Sequence, residues 1–338
     1  MSNNKQTEAA TAGANGKAQV SLGRRVGSYL INTREAGIAV VVILVGLILA
    51  LSTDSFFTVA NLQIVARIIS LNAIMAIGMT MVILLGDIDL SVGSIVALAS
   101  VITGFVLVPL GMPIGVGFLA GILTGVLVGL INGGLIVKTG VPSFIVTLGM
   151  MGVARGFALV ITKGSSISGL PRPYLALGQG FLLGIPVPVV IMAVVAIAAH
   201  IFLSRTATGR HIYFTGSNKE AALLSGINVS RIKVLVFVIC GALAALEAVI
   251  EVSRMSTALP AAGLGYELTA IGAVIIGGAS FLGGEGTILG TLLGATLLGL
   301  LANGLILLGV SAYWQTVFSG SIIILAVTLD MWRQRRGI

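Results

Sequence analysis

With 338 residues, 57% of them hydrophobic, 9% charged and 46 glycines, the chain holds too little polar surface to cover one soluble globule. Its mean hydropathy is +1.12, and its apolar residues run in long uninterrupted stretches, which places it in a bilayer. A net charge of +8 would suit nucleic acid, but the positions of the basic residues assign them to membrane orientation instead.

In chain order, residues 1–36 are rich in Asn, Ala, Gly and Lys, hold no apolar core, and read as a cytoplasmic polar tail rather than a signal peptide. About ten candidate spans follow, at 37–53, 62–86, 90–110, 113–137, 141–162, 181–203, 232–253, 268–282, 288–310 and 313–331, near the roughly 20 apolar residues that a membrane helix needs. Barrel strands would be about ten residues long and would alternate apolar with polar. That alternation is absent, so the expected fold is all-α: a polytopic membrane domain over 37–332, followed by a basic cytoplasmic C-terminus at 333–338.

If the N-terminus is cytoplasmic and each span crosses once, fourteen of the 19 lysines and arginines fall inside. Lys163, Arg172 and Arg254 fall outside, and Arg67 and Arg155 lie within spans. This asymmetry is the positive-inside pattern. It puts both termini and the central loop 204–231 in the cytoplasm and 163–180 outside.

An internal repeat is expected as well. "GLINGGLIV" at 129–137 resembles "GLLANGLIL" at 299–307, about 170 residues and five spans later. Because five is odd, the two halves cross in opposite directions, an inverted-topology repeat of the kind that transporters use. Gly121, Gly125 and Gly129, and again Gly290 and Gly294, recur every four residues, which lets helix backbones approach closely.

The polar interruptions carry the functional candidates. "LLGDIDLSVGS" at 84–94 sets Asp87 and Asp89 between apolar runs. Asp89 stands near the N-cap of the next helix, either closing a short turn or bordering a broken, re-entrant element on a pathway with Ser91. Asn72, Asn132 and Asn303 are further polar groups within spans, candidates for a path or for helix-to-helix hydrogen bonds. In "GALAALEAVIEVSRMS", Glu247, Glu251 and Arg254 share one helical face. They must face protein or water rather than lipid, as an ion-paired seam or as a wall of the path. Cys240 stands alone in a span, so neither a disulfide nor a cysteine metal site is available; no cofactor or metal is expected. Nothing matches a phosphate-cradling G-x-x-x-x-G-K-[ST] loop, so no ATP hydrolysis of its own is expected.

"GDIDLSVGSIVAL", "NGGLIVKTGVPSFIVTLGMMGVARG", "TATGRHIYFTGSNKEAALLSGINVSRIK" and "GYELTAIGAVIIGGASFLGGEGTILGTLLGA" resemble, in order, the motifs of the permease subunits of bacterial ABC sugar importers, the group of ribose, xylose and autoinducer-2 permeases. The resemblance covers about residues 38–332. It implies a second permease subunit, identical or paralogous, a separate ATPase subunit, an extracytoplasmic sugar-binding protein, and contact with membrane lipid. It also implies that the soluble segment in the central loop, Ser217, Asn218, Lys219, Glu220, Ala221, Ala222, Leu223, Ser225 and Gly226, is a coupling helix that docks into the ATPase. On the residues themselves, Asn218 can cap such a helix, Gly226 can stop it, and Ala221 and Ala222 would leave one side smooth. Glu247 departs from the family, which has small or apolar residues there. A branched-chain amino acid permease, an ion-coupled secondary transporter and a non-transporting scaffold are the alternatives.

Overall fold

A computed structural model describes residues 34–311 and scattered helical positions between 313 and 331. The candidate span 313–331 is thus described only in part, and most of the tail 1–36 and all of 333–338 lie outside the described residues.

The chain is built from helices. In order they are α1 (Arg34–Ser52), α2 (Val59–Leu84), α3 (Val92–Leu107), α4 (Ile114–Thr139) and α5 (Ser143–Thr162), then α6 (Ala176–Gln179), α7 (Val187–Arg205), α8 (Ala207–Ser217), α9 (Lys219–Leu224), α10 (Val229–Met255), α11 (Tyr266–Ile276) and α12 (Ile288–Leu307). Four two-residue strands punctuate them. β1 (Ile167–Ser168) pairs antiparallel with β4 (Thr257–Ala258), and β2 (Phe181–Leu182) pairs with β3 (Ile185–Pro186). Among the described residues, seven helices are long and apolar enough to cross a membrane: α1, α2, α4, α5, α7, α10 and α12.

Two expected spans are shorter than the sequence suggests. The stretch 90–110 yields a helix of 16 residues, α3, and 268–282 yields only the 11 residues of α11 before the chain turns. Apolarity continues past Ile276, but "GGASFLGGEG" is glycine-rich, and its backbone leaves the helix at Gly277.

The inverted repeat is visible in the element bounds. α2 starts at 59 and α10 at 229; α4 spans 114–139, and the same offset of 170 gives 284–309, which contains α12. α2 and α10 run antiparallel: a side chain at Gly78 would meet Cys240, and near the end of α2 Asp87 pairs with Lys233 at the start of α10. The packing repeats too. Gly125 and Gly129 of α4 press against the Gly241 and Phe237 carbonyls of α10, while Gly299 of α12 lies on Ile69 of α2 and Thr291 hydrogen-bonds Thr80 at 2.7 Å. The glycine spacing read from the sequence is therefore a packing feature. α2, α10 and α11, with the first half of α3, form the buried core, whereas α1, α4, α5 and α7 leave apolar side chains exposed to their surroundings.

Both short helices follow non-helical backbone. Residues 87–90 are non-helical and lie beside the first turns of α5, where Ser143 Oγ accepts from Ile88 N at 3.2 Å and Thr147 Oγ1 accepts from Leu90 N at 3.1 Å. From the opposite end, the chain after β4 runs back along α3. Ala258 lies against Gly104 and Gly263 against Gly93, about 16 Å of helix at 1.5 Å per residue.

Candidate translocation cavity and coupling surface

A cavity of about 350 Å³ opens between α2, α10, α11 and α12. One wall is polar: Glu247, Glu251 and Arg254 from α10, Tyr266 and Thr269 from α11, and Asn72 from α2. The other is apolar, with Leu298, Leu301 and Leu305 of α12. The i, i+4, i+7 spacing of the three charged residues places them on one face, as expected. Arg254 donates to Glu251 through Nε (2.8 Å to Oε2) and Nη2 (2.9 Å to Oε1), a bidentate pair that satisfies both carboxylate oxygens. Glu247 is different. It is 1% exposed, and its Oε2 has no hydrogen-bond partner among the described residues, so it keeps an unused polar atom at the cavity wall.

The other four path candidates sit elsewhere. Asp89 is fully buried; its Oδ1 accepts from Ser91 N (2.8 Å) and Ser91 Oγ (2.6 Å), and Asn132 Nδ2 donates to Ser91 Oγ at 2.9 Å. The N-cap of α3 is Ser91 rather than Asp89, whose carboxylate closes an Asx turn two residues before the helix gets under way. This chain pins the 85–91 connection to α4. Asn303 Nδ2 donates to Asn61 Oδ1 (2.8 Å), and Asn61 Nδ2 returns a bond of 3.2 Å, a buried amide pair joining α12 to α2. Asn72, Glu247 and Glu251 thus line the cavity, and Asp89, Ser91, Asn132 and Asn303 do not.

At the other end of the bundle lies the soluble segment. Asn218 caps α9, its Oδ1 accepting from Ala221 N at 2.9 Å. The helix ends on Gly226, at φ +78°, whose N–H donates to Leu223 O (3.0 Å) while Ile227 N donates to Ala222 O (3.0 Å), the paired bonds of a Schellman stop. Ala222 requires a correction. It is 0% exposed, turned into its own chain, so it offers no smooth outer side. The outward face carries Lys219, Glu220, Leu223 and, 90% exposed, Leu224, which the sequence reading passed over. An exposed leucine is unremarkable in a sequence this apolar; the docking of α9 against α10 leaves this one facing outward.

α8 joins this segment to the bundle. A Cβ on Gly216 would overlap Leu84 O, and Ser217 packs against Gly284. Gly284 N donates to Leu84 O at 2.9 Å, and Tyr213 Oη donates to Gly286 O at 2.8 Å, with burial pushing its phenol up from the ordinary value. The end of α8 therefore touches the last residue of α2, Leu84, at the point where the 85–91 connection begins, and the 277–287 connection itself. Lys138, Arg205, Arg210, Lys219, Arg231 and Lys233 gather at this end, where α4, α7 and α8 finish and α10 begins, while Lys163, Arg172 and Arg254 lie toward the other.

Among the described residues, seven helices long and apolar enough to cross a membrane, two shorter helices entered through non-helical backbone and a half-polar cavity between them define a multi-pass membrane permease. Residues 61–327 match the family described as branched-chain amino acid transport system / permease component, and the chain belongs to it. Among curated relatives, it is 43% identical over 320 residues to the ribose import permease protein of Escherichia coli strain K12, covering 94% of this chain and 99% of the relative. It is 45% identical over 296 residues to the ribose import permease protein of Bacillus subtilis strain 168, covering 87% and 90%. Identity to the D-allose transport system permease protein of Escherichia coli strain K12 is 37% over 291 residues, covering 86% and 89%. No solved structure matches.

Proposed function

We propose that the chain is the transmembrane permease subunit of an ATP-binding-cassette importer that carries a monosaccharide or similar polyol across the bacterial inner membrane. A separate ATPase subunit drives it and an extracytoplasmic binding protein feeds it. Both termini and the loop 204–231 face the cytoplasm, and a second permease subunit completes the path.

One observation carries the mechanism: α8 abuts at once the end of α2, through Gly216 on Leu84, and the 277–287 connection, through Tyr213 on Gly286. A push received on the outward face of α9 passes into α8 without crossing a flexible linker, because Asn218 alone separates them. The connections then move with the ends of α2 and α11, and α2 and α11 wall the cavity. Within the cavity, Glu247, Tyr266 and Asn72 offer hydrogen bonds to passing hydroxyls while Leu298, Leu301 and Leu305 present an apolar wall, an arrangement suited to weak, transient contact with a neutral, hydroxyl-rich solute. Asp89, Ser91 and Asn132 take the supporting role of fixing the 85–91 connection, and Asn303 that of joining α12 to α2.

Reconstitution in proteoliposomes with the ATPase and binding protein tests this reading. ATP-dependent uptake of D-ribose, D-allose or L-arabinose is expected. Uptake of leucine alone rejects the sugar assignment in favour of the amino acid alternative, and uptake driven by an ion gradient without ATP rejects the importer itself.

A further inference from the structure

Arg155 belongs to neither the cavity nor the coupling surface, yet it is a cation near the middle of α5, one of the long apolar helices. A charge at that depth is costly unless it is paired or wet. The structure shows what it does there. Its Nη1 donates to Pro260 O (2.9 Å) and to Ala262 O, and its Nη2 donates to Gly93 O (3.2 Å). Pro260 and Ala262 lie in the non-helical stretch between β4 and α11, and Gly93 is in the first turn of α3.

These acceptors mark the place where the two interrupted segments meet. Gly93 and Gly263 touch backbone to backbone: a Cβ on Gly93 would overlap Gly263 O, and one on Gly263, at φ +69°, would overlap Gly93 O. The carboxylate of Glu267, in the first turn of α11, closes over the same point and acts electrostatically on Arg155. Non-helical backbone within a bilayer leaves carbonyls without their helical donors. A guanidinium, with five donors in a rigid fork, can serve two such carbonyls, of Pro260 and Ala262, together with Gly93 O at the start of α3, and a lysine ammonium on its flexible stem matches that fan less well.

We propose that Arg155 is a positioning residue for transport: it fastens the crossing of the two interrupted segments to α5, so that α3, α11 and α5 shift as one body. The inference rests on the reading of the chain as the path-forming subunit. By this account Arg155 touches no solute; it acts through the backbone that places Tyr266, Glu267 and Thr269.

The test separates the latch from the transport reading. Cys240 is the single cysteine, so Cys240→Ser gives a cysteine-free parent, and Pro260→Cys puts a probe at a buried position of the stretch that Arg155 holds, with the accepting carbonyl still in place. The full-length permease in lipid nanodiscs is labelled with a water-soluble maleimide, and D-ribose uptake per permease is measured in proteoliposomes with the ATPase and binding protein. Arg155→Gln is expected to raise the labelling rate about tenfold, as the segment loses its charge-assisted bonds, and to lower uptake by about tenfold or more. Arg155→Lys should recover part of both. Labelling that stays within about twofold of the parent overturns the latch, and faster labelling with parental uptake overturns its role in transport. If the Gln variant does not accumulate, the Lys variant is judged by the same two readouts. A parent that takes up none of D-ribose, D-allose and L-arabinose counts against the sugar reading, while the labelling comparison still decides the latch.

Discussion

Leu224 gives the sharpest test of the coupling surface. Its side chain is 90% exposed at the end of α9, so Leu224→Ala removes almost no contact from the permease itself. If that side chain enters a groove on the ATPase, truncation forfeits three buried carbons, roughly 2 kcal/mol at about 0.8 kcal/mol per methylene. That corresponds to about a thirtyfold loss of affinity. The assay is titration of detergent-solubilised permease with the purified ATPase subunit, with thermal unfolding of the permease followed alongside. Affinity should fall while the unfolding temperature holds. Ala222→Leu is the counterpart: its methyl faces its own chain at 0% exposure, so the larger side chain overpacks the loop, costs about 1–3 kcal/mol and lowers the unfolding temperature. If Leu224→Ala binds the ATPase within about twofold of the parent, no hot spot lies there and the docking face has been assigned to the wrong residues.

Glu247→Leu removes a buried carboxyl that has one oxygen unpartnered, so assembly should be unharmed while sugar uptake falls, with Glu247→Gln intermediate; a defect confined to assembly would make the residue a packing element. Gly216→Ala forces a Cβ into Leu84 O and should cost several kcal/mol or abolish accumulation in an expression and melting comparison, whereas Gly149→Ala, with nothing within 4 Å, should be tolerated. Single cysteines at Ser217 and Ser168, probed with an impermeant thiol reagent in intact spheroplasts, should label at 168 and stay unlabelled at 217. The reverse pattern would invert the topology.

Much of this protein was legible because its signals are local. Runs of apolar side chains long enough to span a bilayer announce themselves without a partner, and among the described residues seven of them form helices long and apolar enough to cross one. The cap at Asn218 and the stop at Gly226 involve backbone groups within a few residues, so their chemistry could be read directly. The one-face spacing of Glu247, Glu251 and Arg254 is likewise a property of a single helix, and the glycine ladder of α4 announces a close neighbour without naming it.

What the sequence could not settle was which partner each of these groups would meet. Apolarity alone did not separate a full span from the 11-residue α11, because the end of that helix depends on a turn packed against Leu84 and Ser217, far away in the chain. Ala222 and Leu224 are equally apolar neighbours on one short helix, and only its docking against α10 decides which of them faces out. Asn132 and Glu247 are both polar groups in spans; one found Ser91 across 41 residues and the other was left facing a cavity. Arg155 was visible as an unexplained charge, but its acceptors lie 62 to 107 residues away, on backbone carbonyls that come together only where two broken segments cross. A side chain's own chemistry and its nearest turns are written locally, whereas burial and pairing are properties of the folded bundle, set by which helices the chain brings together.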